Sequence, residues 1–314
     1  MATREATATR RAPRPRPRTL LVIGGAEDKL GTSTILKRFV KLAGGKSSRI
    51  VIVPTASSFV DEVVVGYTAA FTRLKAGPDI RVVHATSRQE AHDPDLVARL
   101  DDATGVFLSG GSQLKLSQYY PGTPVGEAMH AAYQRGAVVA GTSAGASILS
   151  RHMISMGEER LTPRQRMSQL TAGLGFIDDV VLDQHFDERG RYGRLLSIVA
   201  NSPQLLGVGI DENTAVEIHD ERIMTVLGAR AVFVLDGRAA VTDAPDARRG
   251  APLLVSGAVV HTLPAGATFD LQAAALVGFV ERHQDKDARG ASARERLPTV
   301  QMDSPTSTPP TASS

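Results

Sequence analysis

Short runs of aliphatic and β-branched residues recur along the chain, each closed by a polar turn that contains glycine or proline. Leu20-Leu21-Val22-Ile23 stops at Gly24-Gly25, Ile50-Val51-Ile52-Val53 at Pro54, Val106-Phe107-Leu108 at Ser109-Gly110-Gly111, and Val138-Val139 at Gly141. Ile80-Arg81-Val82-Val83 is a weaker copy. Apolar runs without polar alternation mark strands buried on both faces. Between them, residues 34–43, 61–74, 94–100 and 125–134 have helical spacing. Strands alternating with such helices predict right-handed βαβ units and a doubly wound parallel sheet, with ligands at the carboxyl ends of the strands. Val180-Val181-Leu182 and Leu205 to Ile210 continue the series, separated by a helix that ends at Ala200. From Ala215 to Leu263 only short β-segments remain, and these predict antiparallel hairpins appended to the sheet rather than a second domain. The polar stretch from Arg151 to Thr171 has no period and reads as a surface excursion near the strand ends.

Composition changes this picture mainly at the two ends. Residues 1–18 hold six arginines against one glutamate, so the formal charge of +3 sits in that arm and the remainder is slightly acidic. The arm is interrupted by Pro13, Pro15 and Pro17, and it is expected to be disordered. The expected organisation is this arm at 1–18, one catalytic α/β domain at 19–283, and a disordered charged, then Pro/Ser/Thr-rich tail at 284–314. A basic surplus confined to one arm argues against nucleic acid as a partner. No apolar run reaches the roughly 18 residues of a membrane span, and no signal-peptide core is present, so a cytoplasmic protein without a membrane partner is expected. Cysteine is absent, which removes thiolate metal sites and a cysteine nucleophile. No histidine–carboxylate pair has ligand spacing, so neither metal nor cofactor is expected. The Gly-rich turns do not match the dinucleotide or P-loop patterns.

The candidate chemistry starts at Gly141-Thr142-Ser143-Ala144-Gly145, which follows an apolar run with no polar spacer. Glycines on either side of Ser143 permit a sharp strand-to-helix corner that exposes the hydroxyl, although the same five residues also suit an ordinary helix-capping turn. A serine needs a base. His185, just beyond the Val180 run and inside a polar cluster, is the histidine with a suitable setting. Asp211 and Glu212 both stand at a further strand end, and neighbours on an extended segment point to opposite faces. The pattern leaves the choice between them open.

Five segments together resemble the cyanophycinase family, serine exopeptidases related to aspartyl dipeptidase. They are Gly24-Gly25-Ala26-Glu27-Asp28-Lys29, Gly110-Gly111-Ser112-Gln113, Gly141 to Ala146, Asp183-Gln184-His185-Phe186 with Arg189, Arg191 and Arg194, and Gly209 to Ala215. The resemblance spans residues 19–280 in the family's order and spacing. It implies a class I glutamine-amidotransferase-like (flavodoxin-like) fold, a Ser143–His185–Glu212 triad, and an acyl-enzyme on Ser143. Amides of Gly110, Gly111 and Ala144 are the expected oxyanion donors. Gln113, Asp183, Gln184, Arg189, Arg191 and Arg194 are the expected substrate-binding residues, since guanidinium groups bind carboxylates in a two-point fashion. The implied partners are a second copy of the chain and a polypeptide substrate, cyanophycin, a poly-aspartate with arginine on each side-chain carboxyl. The family releases β-aspartyl-arginine dipeptides from it. Two other readings stay open: a related peptidase acting on other aspartyl or isoaspartyl peptides, and a non-catalytic binding module.

Overall fold

The computed structural model describes residues 17–280 of the 314-residue chain. The expected tail from 284 and all but the last two residues of the expected arm lie outside the described residues. Arg18, at the end of that arm, is tied to the domain: its N–H donates to Asp220 Oδ1 and its guanidinium pairs with Glu221.

The first half runs β1 (Thr19–Ile23), α1 (Thr34–Leu42), β2 (Arg49–Val53), α2 (Val60–Arg73) and β3 (Asp79–Val82). It continues through α3 (Pro94–Ala98), β4 (Gly105–Leu108), α4 (Gln113–Tyr119), α5 (Pro124–Gln134), β5 (Val138–Thr142) and the single-turn α6 (Ala144–Ser147). The five strands lie parallel in the order β1-β5-β4-β2-β3, as the alternating pattern predicts.

The 151–171 stretch contains a structure its sequence does not announce. β6 (His152–Gly157) and β7 (Ser168–Ala172) form a two-stranded antiparallel ribbon with an irregular register. On β6 only Met153 and Ile154 are buried, too few to write an alternating pattern. Next come β8 (Val180–Gln184), α7 (Tyr192–Asn201), β9 (Leu206–Ile210), β10 (Thr214–His219), β11 (Ile223–Gly228) and β12 (Ala231–Asp236). The last strands are β13 (Val241–Thr242), β14 (Val255–Ser256), β15 (Val259–Pro264), β16 (Thr268–Asp270) and β17 (Ala275–Gly278). The antiparallel additions take two routes. β10, β11, β16 and β17 extend the parallel sheet beyond β1 to nine strands, whereas β8 and β9, parallel to each other, join β12 and β15 in a separate four-stranded sheet.

Side-chain alternation distributes each parallel strand between two apolar layers. Leu21, Ile23, Ile50, Ile52 and Phe107 pack under α1 and α2, against Phe39, Tyr67 and Phe71. Leu20, Val22, Val51, Val53, Val106 and Val139 pack on the other side against Met129 and Tyr133 of α5 and against Leu182, Val208 and Ile210 of the second sheet. A third layer, with Val181, Leu195, Val199 and Leu235, seats α7 on the far face of that second sheet. The two sheets therefore share one apolar layer, which sets the carboxyl ends of β8 and β9 beside those of β1 and β5.

At the β1–β10 junction, Glu217 is buried and receives both Arg38 Nε (2.5 Å) and Arg38 Nη2 (2.6 Å), with His219 Nε2 2.8 Å away. Burial pushes the Glu217 carboxyl up, but hydrogen bonds from Arg38 and His219 outweigh it and lower the pKa from 4.5 to about 2. The ionised carboxylate therefore stabilises the fold above pH 4.5, and that contribution is lost as the pH falls from 4.5 through about 2. Thermal unfolding measured across this window is expected to show the wild-type Tm dropping more steeply than that of Glu217→Gln, with the two curves converging at the acid end.

Candidate active site

The corner after β5 is tight because glycine lets backbone meet backbone. A Cβ on Gly141 would overlap the Gly145 carbonyl, and a Cβ on Gly145 would overlap that of Leu108. Ser143 sits between them at φ 53°, ψ −116°, a conformation costly for a residue with a side chain. Its N–H donates to Ile23 O (3.1 Å), which anchors the strained residue to the end of β1. The structure thus has the geometry of a nucleophile elbow rather than of a capping turn: Ser143 makes no side-chain cap hydrogen bond to α6.

His185 follows β8 and also lies at positive φ, 48°. Its N–H donates to Gly24 O (2.8 Å), while Phe186 is buried against Gly209, where any Cβ would enter the ring. The imidazole is thereby aimed at β5. Its Nε2 lies 2.9 Å from Ser143 Oγ and its Nδ1 2.6 Å from Glu212 Oε1. The ring is mostly buried; the Glu212 side chain is one-third exposed. Glu212 is positioned through its neighbours. Asn213 N–H donates to Gly25 O (2.8 Å), and the Asn213 side-chain oxygen accepts Asp28 N–H. Glu212 N–H donates to the Glu188 carboxylate, itself held by Arg230 (2.6 Å).

Asp211 points the other way. Its two oxygens accept the amides of Asp187 and Ala231 (3.2 Å each), and burial raises its pKa against those two hydrogen bonds. Alternation along the strand end thus separates the two acids, and Glu212 is the one at the histidine.

A cavity of about 370 Å³ opens beside Ser143 and His185, bounded by Glu27, Lys29, Tyr67 and Gly110 among others. Gly110 faces the serine: a Cβ there would lie 3.1 Å from Ser143 Cβ and 3.6 Å from Oγ. Among the described residues the amides of Gly110, Gly111 and Ala144 have no acceptor. Cavities of about 390 and 500 Å³ lie elsewhere but bring no serine–histidine pair together.

The residues expected to bind substrate fare differently. Asp183 is fully buried and accepts two guanidinium nitrogens of Arg194 and one of Arg191. Arg191, also buried, donates to the Gln184 carbonyl, to Gln184 Oε1 (3.0 Å) and to Glu159 Oε1 (2.9 Å). Burial lowers the Arg191 pKa, against the attraction of Asp183. Gln113 Nε2 donates to Ile154 O (2.5 Å) on the ribbon. Asp183, Gln184, Arg191 and Arg194 are therefore turned toward one another inside the protein, with Arg191 Nε left without a partner among the described residues, because a buried charge of this kind is tolerated only when paired. Arg189 differs: its side chain is 47% exposed and reaches Glu159 only at 3.6 Å. The sequence reading missed the wall made by Glu27, Tyr67 and Thr142. Both Tyr67 Oη (2.5 Å) and Thr142 Oγ1 (2.6 Å) donate to the Glu27 carboxylate. The polar strand-end turn at 24–28 signalled the acid, but nothing local marked the tyrosine on α2 as its partner.

Among the described residues no group of three His, Asp and Glu side chains could hold a metal ion, and no helix is long and apolar enough to cross a membrane.

These features define a serine-type peptidase on an α/β scaffold. The model of Peptidase family S51 matches residues 20–226, and the chain belongs to that family. It is 37% identical over 224 residues to a cyanophycinase of Geminocystis herdmanii, covering 70% of this chain and 81% of the relative. It is 35% identical over 276 residues to a cyanophycinase of a Nostoc species, covering 87% and 92%. Among solved structures, a peptidase from an acI-B1 actinobacterium shares the fold at a TM-score of 0.59 and 21% identity, over 82% of this chain and 98% of that one.

Gly25 backs the imidazole: at φ +103°, it leaves no room for a Cβ, which would lie 2.6 Å from His185 Nε2. Gly25→Ala is expected to displace the ring and lower kcat/KM by roughly 100-fold, while limited proteolysis reports a folded domain. A ring still at its wild-type chemical shifts, with undiminished turnover, would contradict this account.

Proposed function

We propose that this chain is a serine exopeptidase that hydrolyses cyanophycin to β-Asp-Arg dipeptides, with Ser143, His185 and Glu212 as its catalytic triad. The observation that carries the reading is the continuous contact from Ser143 Oγ through His185 to Glu212, 2.9 and 2.6 Å, mounted on a strained elbow. Glu212 accepts a hydrogen bond from Nδ1–H and so holds the tautomer whose free Nε2 can receive the serine proton. As Ser143 Oγ attacks the scissile carbonyl, that proton passes to Nε2. The oxyanion is met by the free amides of Ala144 and of Gly110 or Gly111. His185 then returns the proton to the leaving amine as the carbon–nitrogen bond breaks, which leaves an ester on Ser143. Water, deprotonated by the same nitrogen, cleaves the ester and restores the serine.

Support for the substrate comes from relatives named cyanophycinase that align over most of both chains. Of the residues expected to contact substrate, Arg189, whose N–H donates to His185 O (3.2 Å), keeps an exposed guanidinium, and it is our choice for a carboxylate contact. A homodimer in the cytoplasm, with cyanophycin as the polypeptide partner, completes the proposal on the family resemblance; sedimentation of the purified chain tests the dimer.

Incubation with insoluble cyanophycin is expected to release β-Asp-Arg, detected by mass, and a fluorophosphonate probe is expected to label Ser143. Ser143→Ala should lose roughly 10⁴- to 10⁶-fold in kcat, and Glu212→Gln roughly 10³- to 10⁴-fold. Labelling of Ser143 without dipeptide release would point to other isoaspartyl peptides. A folded protein that the probe does not label would reduce the chain to a binding module.

A further inference from the structure

Lys29 lines the cavity that also contains Ser143 and His185 and has no part in the mechanism above. Its side chain is 40% exposed and its ammonium is fixed from behind on two sides. Nζ sits 3.4 Å from Glu27 Oε1 and 4.9 Å above the centre of the Tyr67 ring. Attraction to a ring face consumes no N–H donor. The contact with Glu27 is an ion pair at 3.4 Å, and the ammonium donors are left to face the cavity that also contains Ser143 Oγ and His185.

The supports behind the ammonium are themselves saturated. Glu27 is buried to 1% and takes Tyr67 Oη on one oxygen and Thr142 Oγ1 on the other. Thr142 is the residue before the nucleophile, so the lysine and the serine are braced by the same carboxylate. The backbone is equally constrained. Asp28 accepts the amides of Leu30, Gly31 and Ser33, and the Lys29 carbonyl accepts Arg73 Nη2. A long, flexible side chain is thereby held in one pose on the wall of the cavity that contains Ser143, which removes much of the entropic cost of engaging a ligand.

We infer that Lys29 is a specificity-determining residue that binds a free carboxylate of the substrate, at the residue adjoining the bond cleaved by Ser143. The assignment rests on Ser143 being the nucleophile. A carboxylate is the chemistry an ammonium with spare donors selects, and a charge-assisted bond in a partly enclosed cavity is among the stronger polar contacts. A poly-aspartate carrying arginine through its α-amino groups presents such a group on every unit, because each arginine keeps its own α-carboxylate. Besides Glu27, which is already engaged, the cavity wall carries Glu62, an exposed acid with no ion-pair partner among the described residues, suited to a cation instead.

The experiment compares two probes, an aspartyl peptide bearing β-linked arginine with a free α-carboxylate and the same peptide as the α-carboxamide. The proteins are the full wild-type chain, Lys29→Met, Lys29→Arg and Glu62→Gln. Wild type is expected to favour the free acid, and Lys29→Met to raise KM for the acid by roughly 10- to 100-fold with a much smaller change in kcat. Its preference for acid over amide should collapse, and Lys29→Arg should restore most of it. Equal losses on acid and amide would overturn the inference in favour of a purely structural lysine. So would a KM that responds to Glu62→Gln but not to Lys29→Met. Fluorophosphonate labelling of wild-type Ser143 separates the two levels: no labelling sinks the nucleophile assignment itself, whereas labelling with an unmoved acid preference sinks only the role of Lys29.

Discussion

Everything at this site depends on backbone segments approaching more closely than a side chain permits. The ends of β1, β2, β4, β5 and β9 converge, and at each convergence a glycine Cα faces a carbonyl or ring from elsewhere in the fold. Gly24 meets the Asp211 carbonyl, Gly111 the Ala56 carbonyl, Gly141 the Gly145 carbonyl, and Gly209 the face of Phe186. Each contact removes a degree of freedom from a turn that carries chemistry, so the strain at Ser143 and His185 is imposed from several sides at once. A residue at positive φ persists only when its surroundings over-determine it. Here the over-determination comes from strand ends that are themselves anchored in a continuous apolar layer.

This constraint also explains what the sequence disclosed and what it withheld. The parallel strands were legible because burial on both faces writes an unbroken apolar run, and their terminal glycines were legible because few residues end a strand that way. The ribbon at 152–172 was not, since of its strand residues only Met153 and Ile154 are buried and its strands pair with each other rather than with the core. Nor did any local signal say that β8 and β9 would leave the main sheet. Their runs look the same as the others, and only the later pairing of β9 with β12 separates them. Ser143 and His185 could be picked out by type and setting. The choice between Asp211 and Glu212 could not be made from the pattern, because it is decided by two backbone amides, of Asp187 and Ala231, that reach Asp211 from distant segments.

The Arg-rich run after His185 shows how residue type can be right about charge and silent about direction. A guanidinium beside an active site suggests an anionic substrate, but Asp183 lies on the strand that leads to His185 and claims Arg194 with two hydrogen bonds. Once Asp183 is buried, leaving it unpaired would cost more than the flexibility its partners surrender. Arg191 then bridges outward, from Asp183 and Gln184 to Glu159 in the loop between β6 and β7.

That bridge gives the inward-turned charges a use other than contact with substrate. Among the ties that hold the ribbon and its loop are those of Gln113 at Ile154, of Arg191 at Glu159, and of Gly193 N–H at the Arg160 carbonyl (2.9 Å). Gln113 begins the helix that follows the Gly110-Gly111 turn, and Arg191 caps the helix that follows His185. The same two turns that carry the proposed oxyanion amides and the proposed base therefore also fix the ribbon. A buried ion pair contributes little net stability, but it penalises every arrangement in which its partners separate. The Asp183–Arg191–Glu159 chain thus couples the position of the ribbon to the strand that delivers His185, so that a displacement of either one is resisted by the other.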